Sequence, residues 1–127
     1  MKAFAAARFQ PLRRLADLPQ DVRVAVDAAL QHEPLADAGE DWNPTCLVNE
    51  DLPGQHLLFA GGSKDLWFIY IEIGGYGLGY HVYTFRRAKG RVILEGDWSV
   101  SADPVASIDA LQTAVLSEAQ AAEFRDR

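Results

Sequence analysis

Between residues 56 and 100 apolar and polar positions alternate in short runs, broken by glycine-rich turns. The runs are His56–Gly61, Leu66–Ile73, Leu78–Arg87 and Arg91–Val100, and they are rich in aromatic and β-branched residues. That composition is the mark of strands. Gly62-Ser63-Lys64-Asp65, Gly74-Gly75-Tyr76-Gly77 and Ala88-Lys89-Gly90 separate them. Strands this close in sequence pair antiparallel, because a parallel crossover needs about a dozen residues. The pattern predicts a four-stranded antiparallel meander over about 56–100.

On both sides the period changes to that of a helix. Val22, Ala25, Val26, Ala29 and Leu30 recur at helical spacing and predict a helix over about 18–32. Asp17 and Gln20 stand at capping-box spacing, Pro19 falls in the first turn, and Pro34 ends the run. A second helix is expected over about 104–120, with Asp103 as its cap and Pro104 in its first turn. Val105, Ile108, Leu111, Val115 and Ala119 share one face of it. Phe4 to Phe9 fit an edge strand or an arm, ended by Pro11. The reading is an α+β fold in a single domain over 1–127.

Turn length then assigns faces, since successive side chains point to opposite sides of a sheet. A four-residue loop at 74–77 would pair Ile73 with Leu78, Ile71 with Tyr80 and Tyr70 with His81. One face then carries Trp67, Ile69, Ile71 and Ile73 with Tyr80, Val82 and Thr84, and both helices are expected over it. The other carries Leu66, Phe68, Tyr70 and Glu72 with Phe85, Tyr83 and His81. A three-residue loop at 88–90 sets Glu95 opposite Tyr83 and Asp97 opposite His81. A half-aromatic, half-acidic outer face suits binding better than plain solvation. The alternative is that the N-terminal arm or the 33–55 connection covers it.

Residues 33–55 form a long acidic connection. It holds Glu33, Asp37, Glu40, Asp41, Glu50 and Asp51 around Trp42, with no Lys or Arg. Loops of this length are usually functional or mobile. A solvated acidic run with Trp42 packed on the core is the plainer account.

The formal net charge is −6, which disfavours nucleic acid and an anionic membrane surface as partners. The one cysteine, Cys46, permits neither an intrachain disulfide nor a cysteine-based zinc site. The apolar run Ala3 to Ala7 is too short for a signal sequence, so a cytoplasmic location is expected.

Candidate chemistry centres on His81, Asp97 and Glu72, which as a group would serve acid–base work or hold a divalent metal. The plainer account is a cross-strand His–Asp pair that serves the sheet. Cys46 with His56 or His81 could act as nucleophile and base, but nothing around Thr45-Cys46-Leu47 resembles a nucleophile motif, which favours an inert buried thiol. The 74–79 glycine run lacks the spacing and following helix of a phosphate loop, so it reads as a hairpin loop with Tyr76 at its tip. Arg86, Arg87, Lys89 and Arg91 make a basic hairpin end.

Small acidic α+β chains without catalytic motifs, with an aromatic and acidic sheet face, are similar in style to immunity proteins that neutralise bacterial toxins. That resemblance implies a protein-binding module meeting a basic toxin or effector; self-association through open sheet faces or edge strands is a separate alternative, and no cofactor and no metal are expected. Its surface would comprise Trp42, Tyr70, Glu72, Tyr76, His81, Tyr83, Glu95 and Asp97. The alternative is a small-molecule-binding protein or minor enzyme using His81 with neighbouring carboxylates.

Overall fold

Residues 55–100 fold as a meander in the computed structural model of the chain, which describes residues 2–44, 52–74, 79–100 and 104–125. In chain order the elements are α1 (Lys2–Ala6), β1 (Gln10–Leu12), a 3-10 turn at Leu15–Asp17, α2 (Gln20–Ala29), β2 (Gln55–Ser63), β3 (Leu66–Ile73), β4 (Gly79–Ala88), β5 (Arg91–Val100) and α3 (Ile108–Arg125). The fold is α+β, with one antiparallel sheet of five strands in the order β1-β2-β3-β4-β5. The extra strand is β1, whose Gln10 and Leu12 pair with Gly62 and Ala60. Pro11 lies inside it rather than ending it, as an edge strand permits.

Two turns differ from the sequence reading by one residue each, and the β2–β3 turn shortens from the expected four residues to Lys64-Asp65, because Gly62 and Ser63 pair with Trp67 and Leu66. Ile73 pairs with Gly79, so five residues intervene between β3 and β4 where four were expected. Ala88 pairs with Arg91, leaving a two-residue turn of Lys89 (φ 54°) and Gly90 (φ 74°). Both residues are left-handed, as a type I′ hairpin requires. The first difference moves every β4 side chain to the opposite face from the one assigned. Ile71 therefore sits beside His81, and Tyr70 beside Val82. A register shift between Thr84 and Phe85 then makes Glu95 the extra residue of a bulge. Beyond it Tyr83 faces Asp97 and His81 faces Ser99.

The helices divide between the two faces instead of sharing one. Leu18, Val22, Val26 and Leu30 of the α2 region pack with Leu57, Ala60, Trp67, Ile69, Ile71 and Phe85. On the other side Leu111 and Val115 of α3 pack with Phe4 of α1 and with Phe68, Tyr70, Val82 and Val100. A bulge at Leu58 brings it and Phe59 into that second cluster. The aromatic face is therefore core. Each such side chain contributes about 1.5–3 kcal/mol by leaving water.

Local hydrogen bonds set the helix boundaries. Asp17 turns back to accept the N–H groups of Arg13 and Arg14 (3.3 and 3.1 Å), so it does not cap α2. Gln31 and His32 donate to the carbonyls of Ala28 and Asp27 (3.0 and 2.8 Å), a double closure that ends α2 before Pro34. Ser107 Oγ accepts the Ala110 N–H (3.1 Å), so α3 begins at Ile108 rather than at Pro104. Asp103 lies outside the described residues. The Gln112 amide donates to the carbonyls of Phe4 and Ala7, at 2.8 Å each, and ties α3 to α1.

Candidate functional site

The register places His81, Tyr83, Asp97 and Ser99 on the face that α2 packs against. The His81 imidazole is hydrogen-bonded through Nε2 to Asp97 Oδ1, diagonally rather than directly across the ladder. Ser99 Oγ lies 3.4 Å from His81 Nδ1. A proton on Nε2 satisfies both contacts, leaving Nδ1 to accept from the serine hydroxyl. The Tyr83 ring leans on the imidazole at 4.6 Å and 43°. His81 is largely covered, at 18 % side-chain exposure, whereas Asp97 is half exposed at 51 %. Burial pushes the imidazole below its ordinary value, against the attraction of Asp97. Burial, and then the Asp97 charge, raise the Tyr83 phenol.

A second cluster lies on the opposite face. His56 Nε2 meets Glu72 Oε1 at 2.8 Å, and the Trp42 ring stacks on the imidazole at 4.1 Å and 24°. Tyr80 is the cross-strand neighbour of Glu72. Trp42 thus leaves the acidic connection to close over β2. The Ala36 backbone anchors that connection, donating to the Gln55 carbonyl (3.0 Å) and accepting from Leu57 (2.8 Å).

The expected surface is therefore divided. His81, Tyr83 and Asp97 stand together; Trp42 and Glu72 stand together on the other side of the sheet. Tyr70 is fully buried, with its hydroxyl accepting the Val105 N–H (3.2 Å), so it belongs to the core and to no surface. Glu95 is held by Arg86 through two hydrogen bonds of 2.6 and 3.0 Å. Tyr76 and Cys46 lie outside the described residues. Opposite faces separate Glu72 from His81 and Asp97, and among the described residues no three His, Cys, Asp or Glu side chains converge as metal ligands would. Sequence reasoning missed Ser99 because the two-residue turn at Lys89-Gly90 and the bulge at Glu95 together bring it to His81. It considered His56 only beside Cys46; the two-residue β2–β3 turn by itself would set His56 opposite Ile73, and the bulge at Leu58 shifts it to Glu72.

Both clusters sit at one end of the sheet, where β2 and β4 begin and β3 and β5 end. Glu33, Glu40 and Asp41 are exposed in the connection that reaches this end. No Lys or Arg occurs from Glu33 to Ser63 or from Asp65 to Phe85. Lys64, Arg86, Arg87, Lys89 and Arg91 gather at the opposite end, around the two tight turns. The sheet thus has an acidic end and a basic end. Clefts of about 410, 220 and 210 Å³ indent the surface, and His81 lines none of them. No helix among the described residues is long and apolar enough to cross a membrane. Compared with protein-family models, with curated proteins and with solved structures, the chain has no match.

Proposed function

We propose that this chain is a protein-binding module that docks a basic partner on the acidic end of its sheet, as an immunity-type inhibitor docks a toxin or effector. One observation carries the reading: the stretches that bring Glu33, Glu40, Asp41 and Glu72 to that end contain no Lys or Arg, and the partly exposed aromatics Trp42 and Tyr83 stand beside them. Such charge speeds the approach of a cationic protein, and rigid aromatic side chains anchor it once docked. A cytoplasmic setting fits the lone cysteine. Affinity capture from the native host's lysate, read by mass spectrometry, tests the proposal. A single stoichiometric basic partner should appear, and it should be lost with Tyr83→Ala plus Asp97→Lys but kept with Lys64→Glu at the other end. Absence of a partner, or its retention by the double variant, would sink the reading.

A second reading, a small-molecule-binding protein or minor enzyme, draws on the row Ser99–His81–Asp97, in which a hydroxyl, a base and a carboxylate stand in hydrogen-bonding order. Hydrolysis of a chromogenic ester that disappears with both Ser99→Ala and His81→Gln would put this reading in place of the first.

A further inference from the structure

The basic end of the sheet holds the cleft of about 410 Å³, set between β1, the β2–β3 turn and the residues leading into α2. Trp67 forms one wall and is only 7 % exposed. The Arg87 guanidinium lies over its ring, 4.7 Å from the centroid. Its indole N–H donates to no group among the described residues. The ring is covered while the N–H keeps access to the cleft, so it is a donor that a bound acceptor there can take up. Gly62, also part of the lining, faces Trp67 across the ladder. A Cβ at Gly62 would lie 3.0 Å from the indole nitrogen. The nitrogen therefore hangs over bare backbone at the cleft, where a side chain on residue 62 would fill its space.

Two cations flank this donor. Arg8 and Lys64 line the same cleft, are exposed, and pair with no carboxylate among the described residues. Asp17 also lines it, but its carboxylate already accepts from the Arg13 and Arg14 backbone. On a chain of net charge −6, two uncommitted cations beside an available N–H make a local reversal of field. Leu12 and Pro19 give the rest of the lining an apolar part.

We infer that this cleft binds a small organic anion, its carboxylate or phosphate held by Arg8, Lys64 and the Trp67 indole N–H, and its apolar body resting on Leu12 and Pro19. Arginine, lysine and indole N–H are all donors without acceptor capacity, so the set selects for an acceptor-only group. The site lies at the other end of the sheet from the acidic docking surface, so the two proposals succeed or fail separately.

The test uses the three tryptophan indole N–H resonances in a ¹H–¹⁵N spectrum of the full chain, with Trp67 assigned through Trp67→Phe. Benzoate and phenyl phosphate are titrated, and benzylamine serves as a cation of similar shape. The Trp67 resonance should move saturably with an anionic probe while those of Trp42 and Trp98 stay in place. Arg8→Gln with Lys64→Gln should weaken the apparent affinity about tenfold or more, since charge-assisted hydrogen bonds are being removed. No movement of the Trp67 resonance up to about 10 mM probe, well beyond millimolar affinity, would overturn the inference. So would an equal response to benzylamine, or an undiminished one in the double variant.

Discussion

Asp21, in the first turn of α2, and Arg87, near the end of β4, meet across 66 residues of sequence through two hydrogen bonds of 2.9 and 2.7 Å. The same guanidinium lies over the Trp67 ring, so one side chain joins helix, sheet and aromatic wall. The Arg87 guanidinium holds the Asp21 carboxyl below its ordinary value. A depressed carboxyl stabilises the fold above its unfolded value, and that contribution is lost as pH falls through the folded one. Arg87→Met should therefore lower the thermal midpoint near neutrality, and the difference from the parent should close as the pH falls to about 2. Melts across that range, followed by circular dichroism, check it; a difference that persists in acid would assign the effect to lost stacking instead.

His81 should behave in the opposite sense from a paired surface histidine. Burial holds its folded value below the unfolded one, so the unfolded chain binds the proton more readily. Stability should therefore rise as the pH climbs through the ordinary histidine range and fall below it, and His81→Gln should flatten that slope. Asp97→Asn removes the attraction that opposes burial, so His81 should titrate lower still. Ring-proton shifts measured against pH decide the matter.

Gln31 closes α2 with φ at 56°, a left-handed position usually held by glycine. Gln31→Gly should raise stability by about 1 kcal/mol in urea unfolding, because the Cβ strain is relieved. No gain would mean that the neighbouring left-handed residue His32, at φ 64°, sets the local geometry alone.

Thr84 is 1 % exposed, and its hydroxyl has no hydrogen-bond partner among the described residues. Thr84→Val keeps the branched shape and removes the unsatisfied group. A gain of about 1 kcal/mol is expected, and a loss would reveal a partner for that hydroxyl.

Two glycines at the acidic end make a matched pair. A Cβ at Gly74 would stand 2.8 Å from the Pro44 Cα and carbonyl oxygen, whereas one at Gly54 would meet nothing within 4 Å. Gly74→Ala should lose about 2 kcal/mol as the backbones are forced apart, with Gly54→Ala within about 0.5 kcal/mol of the parent. Similar losses at both positions would show that backbone freedom, not the close approach at Gly74, is responsible.

Much of the fold was legible in the sequence because it rests on local chemistry. The aromatic and β-branched runs gave the strands, and the spacing of Val22, Val26 and Leu30 gave α2. What escaped depends on counting at turns. A β3–β4 connection of four residues and one of five differ by one position, and that position decides which face His81 occupies. The two-residue turn at Lys89-Gly90 and the bulge at Glu95, one position each, then carry Ser99, not Asp97, opposite the imidazole. The His81–Asp97 pair was legible nonetheless, because two side chains on one face reach each other along the diagonal. The burial of Tyr70 was not, since it depends on α1 and α3 docking from the two distant ends of the described chain.

That docking has a kinetic side. From β2 to β5 the sheet joins only neighbours in sequence, so these hairpins can form and zip together through small loops. Seating Phe4 beneath α3 closes a far longer span, since Gln112 must find the Phe4 carbonyl 108 residues away. The layer of α1 and α3 should therefore be the last part to lock and the first to let go, exchanging its amide hydrogens ahead of the β3–β4 ladder.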